Sequence, residues 1–145
     1  MSLVKKDFYE RVKGFGDAIG QIPGARFGDD GCPLEHVFGD GIYIRQLSIP
    51  AGTVITTKIH KTKHPFFLLK GEVTIITAEG PQRLIAPCWG ITEPGTQRII
   101  EAHSDTVWLT CHATESTDLE EIEAEIIEAD YTQLPGYKEN ILCHG

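Results

Sequence analysis

Two histidines in the middle of the chain, His60 and His64, are spaced for metal chemistry. They flank a short polar connection between residues 53–59, which are rich in β-branched side chains, and the apolar run 66–69. Runs of this kind suit pleated strands, so both imidazoles are expected at a strand–loop–strand junction. Neutral imidazole binds transition metals well, and two imidazoles do not discriminate among divalent first-row ions. We therefore expect a divalent transition metal (Zn, Ni, Mn or Fe) at this junction.

A catalytic metal site needs a third ligand, and two further histidines are candidates for it. His112 lies in the apolar stretch Thr106–Ala113, which is predicted to form a hairpin with Gln97–Ala102. Because side chains alternate along a strand, one register turns His112 inward and a one-residue slip turns it outward. His36 lies in a segment rich in Gly, Pro and Asp, residues 21–41, which is predicted to be a loop that can fold over the site.

The spacing around His60 resembles the first motif of the cupin superfamily. That motif reads Gly, five residues, His-x-His, three or four residues, Glu, six residues, Gly. Gly52, His60, His64 and Gly71 keep this frame, but Lys58 stands at the first histidine and His64 at the glutamate. The resemblance implies an all-β fold, a single cupin-type jelly-roll β-barrel, whose site usually takes three histidines and one glutamate.

The second cupin motif is matched in spacing rather than in residues. Fifteen residues separate Gly71 from Pro87, a spacing that is common in the family. Among the positions that follow, Gly95 fits, whereas Arg98 stands where the family has its third histidine. The resemblance covers roughly residues 36–113 of the chain.

The two basic residues at motif positions support a second hypothesis, in which the site works without metal. If Lys58 and Arg98 converge with the histidines on one cavity, their charge disfavours a nearby cation and attracts a carboxylate, a phosphate or a sugar acid. Some cupin relatives, notably sugar-nucleotide epimerases and isomerases, work without metal by using His with Lys or Arg. The resemblance then implies an anionic ligand held by Lys58 and Arg98, with His36 as a further contact and His60 as general base.

A third hypothesis is a non-catalytic module. The middle of the chain is also similar to small single-domain cupin-like proteins encoded by phages and prophages, with Asp105–Trp108 (DTVW) as the best local signature. That resemblance implies a phage-associated assembly or interaction role, virion-associated or host-modifying, and it names no substrate.

Further strands are predicted around the site. Ile42–Ile49 alternates between apolar and polar residues, as a half-buried strand does. Residues 72–78 and 82–86 are predicted to follow as strands, and residues 90–96 as a turn. Short strands with Gly and Pro between them are typical of a sandwich or barrel rather than of alternating strands and helices.

Two amphipathic helices are predicted outside the barrel. Apolar residues recur at helical spacing over residues 3–19, and this helix is expected to pack on the barrel or on a second subunit. Residues 117–130 combine an apolar stripe with seven carboxylates and no basic residue. Thr117 and Glu120 form a capping-box pattern at the start of this acidic helix. Such a charge run is typical of a solvated face.

Length and charge limit the classes of protein and partner. The 145 residues indicate one structural domain, in which 1–35 form an N-terminal helix and loop, 36–113 the barrel, and 114–145 the acidic helix and tail. The net charge of −8 disfavours nucleic acid and anionic membranes as partners. There is no long apolar run and no signal-peptide pattern, so we expect a cytoplasmic protein, or a virion-associated one if it is phage-encoded.

Cysteine usage and the family resemblance lead to two last expectations. The four cysteines form no C-x-x-C pair, so we expect reduced, partly buried thiols. We also expect a homodimer, because the resemblance implies dimerisation through outer sheet faces.

Overall fold

A computed structural model of the protein describes residues 3–20 and 32–128. The predictions for residues 21–31 of the first loop, and for the tail from residue 129 onward with its Cys143, lie outside the described residues. Within the described ranges, neither helix has both the length and the apolar content that crossing a membrane requires.

The described chain contains two helices and eleven strands. Helix α1 spans Leu3–Gly20 and helix α2 spans Leu119–Ile126. The strands are β1 (Leu34–Gly39), β2 (Ile42–Ile49), β3 (Val54–Thr56), β4 (Ile59–His60), β5 (His64–Lys70), β6 (Glu72–Thr77), β7 (Gly80–Ile85), β8 (Cys88–Thr92), β9 (Ile99–Ala102), β10 (Thr106–Ala113) and β11 (Ile127–Glu128).

Most of these strands form two antiparallel sheets. The five-stranded sheet has the order β1-β2-β10-β5-β8, and the four-stranded sheet has the order β3-β9-β6-β7. The short strands β4 and β11 pair with each other. Neighbours in each sheet are often distant in sequence, as in a double-sheet jelly roll, whose connections cross from one sheet to the other. The prediction of an all-β fold is therefore confirmed.

Alternation along the strands separates an inner face from an outer face. In β10, Trp108 and His112 are buried, whereas Leu109 and Cys111 are partly exposed. Packing the apolar inner faces of the two sheets against each other removes them from water, which is the main favourable contribution to folding. The core between the sheets consists of Cys32, Ile49, Phe66, Leu68, Val73, Ile75, Ile100, Ala102 and Trp108.

A smaller apolar cluster holds helix α2. Ile122, Ile126 and Ile127 pack with Tyr43 of β2, and all four side chains are buried. Directly after the helix, β11 pairs with β4 and places Ile127 opposite His60. The C-terminal segment is thus tied to the end of the sandwich that carries His60.

Two predicted connections are strands instead. Leu34–Gly39, within the loop predicted over residues 21–41, pairs along its whole length with β2. Cys88–Thr92, which overlaps the turn predicted over residues 90–96, pairs with β5. Both are edge strands of the five-stranded sheet. An edge strand needs ladder hydrogen bonds on one side only, so it tolerates Gly39 and Gly90, whereas Pro33 and Pro94 lie outside the two strands.

The hairpin predicted over residues 97–113 is wrong. Strand β9 pairs with β3 and β6 in the four-stranded sheet, whereas β10 pairs with β2 and β5 in the five-stranded sheet. The short connection between them crosses from sheet to sheet, and the backbone N–H of His103 donates to the carbonyl of Glu72 at 2.8 Å. Each strand buries an apolar inner face, and two facing sheets bury both faces better than one hairpin does.

The N-terminal helix packs on its own chain. Its span, Leu3–Gly20, extends the predicted helix by one residue. Tyr9 and Val12 are buried, and the Tyr9 hydroxyl donates to the carbonyl of Gly95. Phe15, which the predicted apolar stripe included, remains 38% exposed.

The cap and the end of the acidic helix differ from the prediction. Asp118, not Thr117, is the N-cap, and its side chain accepts hydrogen bonds from the backbone N–H groups of Glu120 and Glu121. The helix ends at Ile126 rather than at residue 130, because the next residues pair as β11. Asp is as effective a cap as Thr, so the boundary shifts by one residue at little energetic cost.

The cysteines within the described residues are free thiols, as predicted. Cys32, Cys88 and Cys111 form no disulfide there. Burial raises the pKa of each of these thiols, which keeps them protonated and weakly reactive.

Candidate metal centre

Three histidines from three different strands meet inside the sandwich. His60 ends β4, His64 begins β5 and His112 lies on β10. The ring centroids of His64 lie 4.4 Å from those of both His60 and His112, and the remaining pair is 5.1 Å apart. Each residue can offer one ring nitrogen, and these atoms lie within 4.8 Å of one another. The three residues could therefore hold one metal ion.

Strand register brings these side chains together. Strands β5 and β10 pair antiparallel with Thr110 opposite Phe66, so the inner face continues to His64 on one strand and His112 on the other. Strand β4 supplies His60 and is held by β11. Residues that are far apart in sequence thus share one end of the inner face.

Hydrogen bonds fix which nitrogen of two rings remains free. The Nδ1 of His64 donates to the carbonyl of Thr62 at 2.9 Å, and the Nε2 of His112 lies 2.9 Å from the Thr110 hydroxyl. In the described part of the chain, the remaining buried nitrogens, Nε2 of His60, Nε2 of His64 and Nδ1 of His112, have no hydrogen-bond partner. Buried polar atoms are nearly always paired, so one unpartnered nitrogen on each of three adjacent rings fits a cation.

The electrostatics keep these rings neutral. Burial, with further contributions from His64, His112, Arg45 and Arg98, lowers the pKa of His60 to about 2. Burial, followed by the charges of His64 and Arg45, lowers the pKa of His112 to about 3. Burial also lowers the pKa of His64, although its hydrogen bond to Thr62 acts in the opposite direction. Neutral imidazole is the form that binds a metal.

Arg98 lies over two aromatic rings of the inner face, near His60 and His64. Its guanidinium carbon is 5.1 Å from the ring centre of Phe66 and 5.9 Å from that of Trp108, and these two rings stack on each other. Its charge contributes to the lowered pKa of both His60 and His64. Arg98 is therefore close enough to His60 and His64 for its charge to act on both rings.

Two of the proposed ligand-binding residues lie outside this group. Lys58 has 57% of its side chain exposed, and its ammonium is 3.5 Å from a carboxylate oxygen of Glu123 on α2. His36 lies on β1, where its Nδ1 is 2.6 Å from the hydroxyl of Tyr43. The buried Tyr43 ring lies between His36 and the histidine group, with its centroid 6.0 Å from that of His112.

Sequence reasoning missed Tyr43 and Arg45. Both lie on the inner face of β2, where Arg45 Nη1 donates to the Tyr43 hydroxyl at 3.5 Å and lies 3.7 Å from Glu123. The alternation that predicted this strand also places residues 43 and 45 on one face, so this signal was available in the sequence.

Comparison with known proteins establishes the fold. No family model matches the sequence, and no curated protein matches it. A solved cupin superfamily protein from Desulfitobacterium hafniense is similar with a TM-score of 0.50 and 12% identity, over 61% of this chain and 82% of that chain.

Two solved enzymes are similar as well. For ectoine synthase from P. lautus the TM-score is 0.54 at 16% identity, over 68% of this chain and 75% of the other. For the DMSP lyase DddQ from Ruegeria pomeroyi the TM-score is 0.54 at 18% identity, over 66% of this chain and 54% of the lyase chain. Identities this low establish the fold alone, and the predicted cupin-type jelly roll is thereby confirmed.

Proposed function

We propose that this protein holds one divalent transition-metal ion through His60, His64 and His112 and uses it to bind a small molecule inside the sandwich. The observation that carries the proposal is that each of three rings has a buried nitrogen without a hydrogen-bond partner in the described chain, and that ligand atoms of the three rings lie within 4.8 Å of one another. Three protein ligands leave coordination positions for water or substrate, which is the pattern of catalytic rather than structural sites.

The metal would supply Lewis acidity or an acidified water to the bound molecule. The chain's own residues prepare the site for it. The carbonyl of Thr62 holds the His64 ring with Nε2 free, and the Thr110 hydroxyl holds His112 with Nδ1 free. His64 and His112 are buried and His60 is partly buried, which favours the neutral form of all three rings. Nitrogen donors favour Zn, Ni, Fe or Cu over Mg or Ca.

Metal content of the purified protein tests this proposal. Tag-free protein is measured by inductively coupled plasma mass spectrometry, as purified and after incubation with Zn, Ni, Mn and Fe(II). We expect close to one metal ion per chain, and loss of that ion in the His60→Ala/His64→Ala double variant.

A matched control is His103→Ala, which removes an imidazole whose Nε2 contacts Thr74 on the outer surface. This control should keep the metal. The proposal fails if no metal binds under any of these conditions, or if the double variant retains it.

A further inference from the structure

Arg98 differs from the other arginines that the structure describes. Arg11, Arg45 and Arg83 each form an ion pair with a carboxylate. Within residues 3–20 and 32–128, Arg98 forms no ion pair, and its buried Nε has no hydrogen-bond partner. Arg98 as a whole is half-buried. A charge that is partly withdrawn from water without a counter-ion is costly, so proteins rarely keep one without a purpose.

The guanidinium of Arg98 lies near aromatic rings and the candidate metal-binding histidines. The rings of Phe66 and Trp108 lie within 6 Å of its guanidinium and offer only weak cation–π compensation. Burial lowers the pKa of Arg98, but a guanidinium stays charged in proteins. The positive charge therefore persists next to His60 and His64.

A second donor near the histidines also lacks a partner. Thr92 on β8 lies directly opposite His64 in the strand register. Its side chain is fully buried, and its hydroxyl oxygen makes no hydrogen bond to the described residues. Arg98 and Thr92 thus offer an unpaired N–H and an unpaired O–H near the same residue, His64.

We infer that the ligand of this centre is a small organic carboxylate, held by the fork of Arg98 and the hydroxyl of Thr92, with its apolar part against Phe66 and Trp108. The inference rests on the proposed metal site for the role of the histidines, but the unpaired Arg98 calls for an anion with or without metal. A metal ion would add further positive charge, which an anionic ligand neutralises.

The donor set favours a carboxylate over a phosphate. A carboxylate is planar, and the planar fork of Arg matches it with two parallel hydrogen bonds. Phosphate sites normally collect several cationic or backbone donors. Here the nearby lysines point elsewhere, since Lys58 pairs with Glu123 and Lys63 pairs with Glu93.

Ligand binding to zinc-loaded and chelator-treated protein tests the inference. Acetate, pyruvate and benzoate are the carboxylate probes, benzamide is the neutral counterpart of benzoate, and inorganic phosphate is the competing anion. We expect at least one carboxylate to raise the thermal unfolding midpoint and to give measurable heat in calorimetry, while benzamide and phosphate do neither.

The variant Arg98→Gln should weaken carboxylate binding about 10-fold to 100-fold, the loss expected for a hydrogen-bonded charge. It should leave the metal content unchanged. Arg83→Gln removes an exposed arginine that pairs with Glu72 and serves as the matched control, with binding unaffected. If Arg98→Gln does not fold, Arg98→Lys is tested instead. Lysine keeps the positive charge but lacks the planar fork of arginine, so this variant should still bind the carboxylate more weakly than wild type.

The outcomes separate this inference from the metal proposal. Carboxylate binding that depends on Arg98 supports the inference, and it overturns the metal site only if the protein also takes up no metal under any of the loading conditions. A metal-containing protein that binds none of the carboxylates, that prefers phosphate, or that binds carboxylates equally well after Arg98→Gln overturns the inference and leaves the metal site standing.

Discussion

The hydrogen bonds made by one nitrogen of a histidine ring determine which nitrogen is free to bind a metal. His112 can present Nδ1 only while its other nitrogen is satisfied, and the Thr110 hydroxyl at 2.9 Å provides that contact. Partners of this kind orient a ligating imidazole and adjust its basicity. A residue that never touches the metal should therefore still affect metal affinity.

We expect Thr110→Val to weaken metal binding by roughly 10-fold to 100-fold, because the His112 ring loses the contact that fixes its orientation. Competition with a chromophoric chelator measures the dissociation constant. Thr74→Val is the matched control, since it removes a threonine hydroxyl that contacts His103 at 2.7 Å away from the centre. Unchanged affinity in Thr110→Val, with the fold intact, would show that this contact does not position His112.

The metal-free protein should lose stability as the pH falls below about 6.5. The pKa of His60 is lowered to about 2 and that of His112 to about 3, so the unfolded chain binds protons that the folded chain does not. Stability is then complete above the ordinary imidazole pKa of about 6.5 and falls toward acid by up to about 1.4 kcal/mol per pH unit for each ring.

Urea unfolding of chelator-treated protein at several pH values between 7.5 and 4.5 measures this slope. His60→Gln should reduce the number of protons taken up on unfolding by about one, because the amide does not titrate. The slope of the unfolding free energy against pH should fall accordingly. A stability that is flat over this range would mean that the three rings are not held neutral.

The sequence predicted the site unevenly, for physical reasons. His60 and His64 are close in sequence, so local spacing was sufficient to identify them. His112 joins them through strand pairing, and periodicity alone left two registers open. Lys58 followed from its motif position, but its side chain reaches Glu123 on the C-terminal helix instead, a contact between distant segments that no local pattern contains.

At the scale of elements, local periodicity predicted the positions of strands well, but it predicted poorly which strands pair with each other. The strand Ile42–Ile49 has the predicted bounds, because Gly41 and Pro50 mark its ends. The predicted pairing of residues 97–102 with 106–113 was wrong, because the choice of sheet depends on which inner faces can be buried together. That choice is made by the whole sandwich rather than by either strand.

One turn between strands depends on a glycine of the cupin-like frame. Gly71 joins β5 to β6 with a φ of 97°. A Cβ atom there would lie 2.6 Å from the Thr106 hydroxyl and 2.7 Å from the carbonyl of Asp105, which is backbone and cannot turn aside. The close approach lets the two sheets meet beside the crossover connection.

We expect Gly71→Ala to destabilise the protein by more than about 2 kcal/mol, since it combines backbone strain with a collision. The matched control is Gly80→Ala, because Gly80 also has a positive φ of 112° but has nothing within 4 Å of an added Cβ. It should cost about 1 kcal/mol, the backbone strain alone. Denaturant unfolding compares the two, and equal losses would contradict the role given to the close approach.

At the scale of the whole molecule, the acidic helix is more than a solvated surface. The net charge of −8 is concentrated in the C-terminal segment, as the sequence indicated. Glu123 of that helix lies 3.7 Å from Arg45 and 3.5 Å from Lys58. The helix thereby supplies the counter-ion for Arg45 at the histidine end of the sandwich. Among the described residues, Arg98 is then the arginine at this end that has no carboxylate partner.

The outer face of the five-stranded sheet is the part of the described surface best suited to a partner. Leu69, Trp89 and Ile91 are 52%, 70% and 47% exposed. They share one face, since Trp89 lies opposite Phe67 and Ile91 opposite Pro65 in the pairing of β8 with β5. Contiguous exposed apolar residues of this kind usually mark an interaction surface.

We propose that a second copy of the chain covers this face. A twofold contact would bury the same apolar patch from both copies, which satisfies the geometry of a homodimer.

Trp89→Glu should then shift the mass measured by light scattering after size-exclusion chromatography from dimer to monomer, because two buried carboxylates would face each other. Ile85→Glu is the control: Ile85 is 65% exposed but lies on β7 of the other sheet, so the dimer should persist. A monomeric wild-type protein, or dissociation by Ile85→Glu alone, would exclude this interface.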